Sequence, residues 1–207
     1  MQGFAKELRT VVEVSAMYVL VALLFTGMAQ LVSPVSSELG TLRELTTIPG
    51  HLSLILGFGL LLGLCVSIVQ FRFDPTLTLI IPVLAILTDV DHLPSILGVM
   101  QPIRPAHSFV FAAAIAVLIF LVLRRPDLSV AALSGFSAHL AIDTGLFPPF
   151  SPLSFTYYDL GGLRAYFIAA AVFFALLAGL LAKKRRLGKP SFLEVSRENM
   201  GALGSAQ

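Results

Sequence analysis

Charge is what this 207-residue sequence has least of. Asp, Glu, Lys and Arg make up 13% of it, against 57% hydrophobic residues, and the mean hydropathy is +0.89. A soluble domain carries roughly 25% charged residues, so the chain holds about half the charge a water-facing surface needs. An ordinary soluble globule is thereby excluded. So is a disordered chain, which needs low hydrophobicity and high net charge. Cysteine is equally scarce. Cys65 stands alone inside an apolar run, so no intrachain disulfide and no Cys-rich zinc motif is possible. A net charge of +2 offers no basic field for nucleic acid. Tryptophan is absent. What remains is an integral membrane protein, and its most informative polar residues are four histidines: His51, His92, His107 and His139.

The apolar runs predict an all-α polytopic membrane protein with about six transmembrane helices. A bilayer core about 30 Å thick needs about 20 apolar residues as helix. The candidate spans are 11–32, 51–69, 77–89, 108–123, 128–147 and 165–182. Lipid-exposed backbone must satisfy its own hydrogen bonds, which favours helices over open strands. The first span is too long for a signal-peptide core and is read as a retained helix. Residues 1–189 form one helical domain, and 190–207, with few apolar residues, form a mobile cytoplasmic tail.

Lys and Arg set the orientation. With six spans, Lys6, Arg9, Arg72, Arg124, Arg125, Lys183, Lys184, Arg185, Arg186 and Lys189 all fall on one side. The other side receives Arg43, Arg104 and Arg164. Both termini are therefore expected in the cytoplasm. On that topology all four histidines, with Asp89, Asp91 and Asp143, fall at or below the outer membrane boundary. Glu13 is an interfacial charge at the other edge, and Thr41-Leu-Arg-Glu44 matches a capping box for a short surface helix or is a plain linker.

Ionisable groups within apolar spans are costly unless paired, so they are functional candidates. His139 and Asp143 are spaced i, i+4, which puts them on one helix face. Imidazole with carboxylate suits zinc and similar divalent ions; a structural His–Asp hydrogen bond is the plainer alternative. Asp89-Val-Asp91-His92 packs three potential ligands into four residues at the end of an apolar run. On a helix Asp89 and His92 share a face and Asp91 points away. Pro94 disfavours helix at Leu93, so the helix is expected to unwind there and turn both aspartates toward one ion. A solvated helix end is the alternative. Arg104-Pro-Ala-His107-Ser108 enters the fourth span, with Ser108 as N-cap, His107 as ligand or base or simply an interfacial residue, and Arg104 suited to hold phosphate or carboxylate. His51 as a lone residue at a helix start reads as interfacial unless the other three recruit it. Phe147, Phe150, Phe155, Tyr157 and Tyr158 form an aromatic outer loop that suits an interface belt or a cover for the site.

Taken in order, these pieces resemble the membrane-bound metal-dependent hydrolase family (YdjM-like), itself distantly similar to zinc-dependent phospholipase C. The motifs are His51, Thr88-Asp89-Val90-Asp91-His92, Arg104-Pro105-Ala106-His107-Ser108, His139-Leu140-Ala141-Ile142-Asp143 and Pro149-Phe150-Ser151. The match covers about residues 51–152. Thr88 departs from a common proline, and 102–106 lacks a histidine that members often carry. The resemblance implies a hydrolase of a prokaryotic cytoplasmic membrane with its site facing outside. One or two divalent ions, most plausibly zinc, would be held among His51, Asp89, Asp91, His92, His107, His139 and Asp143. Such an ion brings the pKa of a bound water to about 7, ready to attack an ester or phosphodiester. Asp91 or His107 would handle the proton, and Arg104 would stabilise the developing charge. A lipid or other amphiphile is the expected substrate. Two other readings use the same residues: a metal carrier or sensor without hydrolysis, and a structural subunit whose polar cluster pins helices together.

Overall fold

In a computed structural model of the chain, residues 2–32, 41–97, 104–143, 146–154, 156, 158–159 and 161–187 are described. The side chains of 2–4, 30 and 32, 41–51, 95–96 and 146 lie outside that description. The tail from 190, Phe155, Tyr157 and the side chains of His51, Arg43 and Glu44 therefore fall outside it. The chain is helical: α1 (Gln2–Val32), α2 (Thr41–Val69), α3 (Pro75–Leu87), α4 (Leu93–Ile96), α5 (Phe109–Leu123), α6 (Pro126–Ile142) and α7 (Arg164–Leu187). A two-residue antiparallel pairing, Leu146–Phe147 with Tyr158–Asp159, ties the connection between α6 and α7.

Helix starts follow local chemistry. Asp74 caps α3 by accepting a bond from Leu77 N at 3.2 Å, and Pro75 fills the first turn, where its missing N–H costs nothing. Ser108 caps α5 through Phe111 N at 3.1 Å, as its place in the motif predicts. Pro126 opens α6, and Arg124, at φ 51°, makes the left-handed stop of α5.

Small residues bring the helices together, as membrane helices require when lipid is as apolar as their own side chains. Ala131, Ala132 and Ala138 of α6 and Ala171, Ala175, Ala178 and Ala182 of α7 are all buried in the core, and Ser134 of α6 donates to Ala171 O of α7 at 2.9 Å. Gly63 of α2 lies so close to α3 that an added Cβ would sit 2.5 Å from the Thr78 carbonyl oxygen. Gly135 of α6 approaches α3 in the same way, with Ile81 O at 2.8 Å. Outward faces are apolar: Leu20, Leu24, Ile68, Val117, Phe173 and Leu180 are all exposed.

Four stretches are long and apolar enough to cross a membrane: Ala5–Ala29, Leu52–Val69, Pro75–His92 and Gly161–Leu187. The expected count of six is reached only by adding α5, of 15 residues, and α6, of 17. Those two are about 22 and 25 Å long at 1.5 Å per residue, short of a 30 Å core. The expected fifth span, 128–147, ends early because α6 stops at Ile142 and Phe147 lies in the paired strand. Phe147 is also buried, edge-on to Phe109 and Phe167, so it packs the core and does not serve as a belt. Phe150 and Tyr158 are exposed. Thr41 to Glu44 belong to the first turns of α2, not to a separate surface helix.

Polar residues separate along the helices. Asp74 stands at the start of α3, and Asp89 and Asp91 lie just past its end. Asp127 stands in the first turn of α6, and His139 and Asp143 close it. Asp74 and Asp127, paired with Arg125, Arg185 and Arg186, and the His/Asp cluster thus occupy opposite ends of these helices.

Candidate metal centre

The His/Asp cluster is assembled from three chain segments. After Leu87 the helix tightens into a 3-10 turn, Thr88–His92, and then resumes as α4 with Leu93 in the α region. The expected unwinding before Pro94 does not occur. In a 3-10 turn residues three apart eclipse, so Asp89 and His92 share a side, with Asp89 Oδ1 3.7 Å from His92 Nε2. Asp91 also comes within 3.7 Å of His92 Nε2 through Oδ1, but its other oxygen is tied down. Its Oδ2 accepts a bond from Ala106 N at 2.8 Å and meets His107 Nδ1 at 3.2 Å. That single carboxylate ties the end of α3 to a second 3-10 turn, Pro105–His107. The third segment is the end of α6, which brings His139 and Asp143.

Each central imidazole is held by its Nδ1. His139 Nδ1–H donates to Ala85 O at 2.8 Å, since a carbonyl can only accept. His107 Nδ1–H donates to the Asp91 carboxylate. Both rings are fully buried. These partners place a proton on each Nδ1 and turn Nε2 of each ring inward. The two Nε2 atoms face each other at 2.9 Å. At that distance the two nitrogens are bridged either by a proton, as an N–H···N bond, or by a metal ion.

The surrounding atoms complete the pattern. Asp89 Oδ1 is 3.5 Å from Nε2 of both His107 and His139. Three ligands at about 2.05 Å on a tetrahedral ion stand about 3.35 Å apart; the two 3.5 Å edges come near that spacing and the 2.9 Å edge is shorter. Asp89, His92 and His107 form one group with ligand atoms within 4.8 Å of one another, and His107, His139 and Asp143 form a second. Asp91 Oδ1 is buried with no hydrogen-bond partner among the described residues and lies 3.7 Å from His92 Nε2. The chain therefore has buried His/Asp groups positioned to bind a metal ion.

Arg104 reaches into the same space. It donates from Nε to His92 Nε2 at 3.3 Å, from Nη2 to His107 Nε2 at 2.8 Å, and from Nη2 to Asp143 Oδ2. The fork expected to hold an external anion is here spent on the ligand atoms themselves.

Of the seven ligand candidates read from the sequence, Asp89, Asp91, His92, His107, His139 and Asp143 converge, and Arg104 joins them. Two supports were not singled out beforehand. Tyr18 of α1 is buried and shares a 2.8 Å hydrogen bond with Thr88 Oγ1, bracing the 3-10 turn from a third helix. The Ala85 carbonyl orients His139. Tyr18 stands inside an apolar run, and a backbone carbonyl has no sequence signature.

Fold and site together define a class: a helical protein with four helices long and apolar enough to cross a membrane and a buried His/Asp centre. The chain matches no protein-family model, no curated protein and no solved structure.

Proposed function

We propose that this chain is a membrane-embedded, divalent-metal-dependent hydrolase of the kind its motifs resemble. The observation that carries the reading is the facing pair of imidazoles, each with Nδ1 committed and Nε2 turned to a common point. Partners that fix the far nitrogen are the usual second layer of histidine metal ligands. His107, His139 and Asp89 would hold the ion, with His92 or Asp143 completing the set. His107 offers one lone pair, so the two ligand groups that share it describe one ion and not two. Nitrogen and carboxylate ligands at tetrahedral spacing favour zinc. When bound, such an ion supplies an activated water near neutral pH and polarises an ester or phosphoryl oxygen.

The protein's own residues have distinct tasks in this reading. Asp91 positions His107 and the Pro105–His107 turn through Oδ2 and keeps Oδ1 as a further ligand or base. Asp143 anchors Arg104, which turns from its imidazole contacts to an anionic substrate oxygen. Asp89, with a side chain 25% exposed, is the accessible carboxylate of the group. An ester or phosphodiester on an amphiphile fits a centre at the helix ends. Between Thr78 and Thr88 the buried residues of α3 are apolar, Ile80, Ile81, Pro82, Leu84 and Ala85, which favours hydrolysis over transport.

The test uses the full chain purified in detergent. Elemental analysis is expected to find about one zinc-type ion per chain, lost in His107→Ala and His139→Ala. Bis(p-nitrophenyl) phosphate and a p-nitrophenyl ester report hydrolysis, which a chelator should stop. Metal without cleavage would support a carrier or sensor instead. Absence of metal from the folded protein would sink the proposal.

A further inference from the structure

The other end of the bundle carries a second site. A cavity of about 340 Å³ opens where the starts of α1, α3 and α6 meet the end of α7. Pockets of about 300–1,000 Å³ are the size that holds small ligands. Lys6, Arg72, Arg125, Arg185 and Arg186 line it, against Glu7 and Asp74. The protein answers only part of this charge. Asp127, fully buried, takes a two-point bond from Arg125 and lies 3.2 Å from Arg185. Asp74 takes a 2.8 Å bond from Arg186. Five cations thus face three carboxylates, and Nε of Arg185 is buried with no acceptor among the described residues. The His/Asp centre is remote, since α6 alone separates Asp127 from Asp143 by about 25 Å.

The rim has the chemistry of a membrane surface. Phe71 and Phe73 flank Arg72 in the turn between α2 and α3, and both are exposed. Lys183 sits 4.9 Å over the Phe71 ring. Aromatic and basic side chains mark the headgroup level, and basic pockets between helix ends recognise lipid phosphates. Arginine forks match phosphate oxygens in pairs.

We propose that this pocket binds a phosphate group, supplied by the headgroup of an anionic phospholipid in the leaflet at that end of the bundle. The Asp127 and Asp74 pairs hold three arginines in place, and exposed Lys6 and Arg72 close on the phosphate. The site is independent of the metal centre.

The test compares phosphatidylglycerol, phosphatidylcholine and inorganic phosphate as ligands of the full chain in detergent. Native mass spectrometry and thermal melting read binding. Phosphatidylglycerol is expected to bind and stabilise where phosphatidylcholine does not. The double variant Lys6→Gln/Arg72→Gln removes two exposed cations without stripping Asp127 of its partners. It should weaken that binding about 25-fold, about fivefold per cation. Inorganic phosphate that neither stabilises nor competes marks the lipid as the source; effective competition marks a free phosphate site on the same residues. Equal binding of the two lipids with no response to phosphate, or unchanged binding in the double variant, would overturn the proposal.

Discussion

Replacing Asp91 with Asn separates orientation from ligation at the centre. Asn keeps the size and one acceptor oxygen, so Ala106 N and His107 Nδ1 retain a neutral partner at the sites now held at 2.8 and 3.2 Å. The lost charge weakens two hydrogen bonds, each worth about 1.5–3 kcal/mol to a charged group and nearer 1 kcal/mol to a neutral one. Folding should therefore survive with a lower melting temperature. The hold on the His107 tautomer also weakens. Losing the outer partner of a ligand histidine typically costs 10–100-fold in metal affinity, or about 1.4–2.7 kcal/mol. Titration against a competing chelator, with circular dichroism to confirm helix content, measures this. His139→Ala, which removes a ligand outright, sets the lower limit. Affinity that is unchanged in Asp91→Asn would refute the positioning role. Loss as complete as in His139→Ala, in a folded protein, would make Asp91 a ligand.

Two further substitutions test other links. Arg104→Gln removes a cation from among the ligand atoms, so metal should bind at least as tightly while hydrolysis falls about 100- to 1,000-fold, the usual cost of a lost charge-stabilising donor; falling metal content would show that Arg104 shapes the site instead. Gly63→Leu places side-chain carbon where only 2.5 Å separates an added Cβ from Thr78 O, so α2 must move off α3. Melting temperature and elution volume should both report disruption, whereas Gly27→Leu, at a position with nothing within 4 Å, should be silent in both.

Several features were legible before any fold was known, because they follow from local chemistry. Low charge and long apolar runs dictate helices with apolar outer faces. Asp74, Ser108 and the prolines at helix starts act within one turn, so Ser108 could be named as a cap from its neighbours alone. The shared face of Asp89 and His92 follows from their spacing. Six of the seven ligand candidates meet because each sits at a helix end, and a bundle brings ends together. The chain by itself thus determined the residue types, the helices and the separation of basic residues from His and Asp. Other features needed distant partners. The turn at Thr88–His92 tightened where pre-proline chemistry argued for unwinding, since Tyr18 and Ala106 secure it from elsewhere in the chain. Phe147 went inside because Phe109 and Phe167 were there to receive it. The direction of a side chain past a helix end is set by what meets it, and so the choice of Asp91 as a brace, and of Nε2 as the nitrogen that faces inward, was made only by tertiary structure.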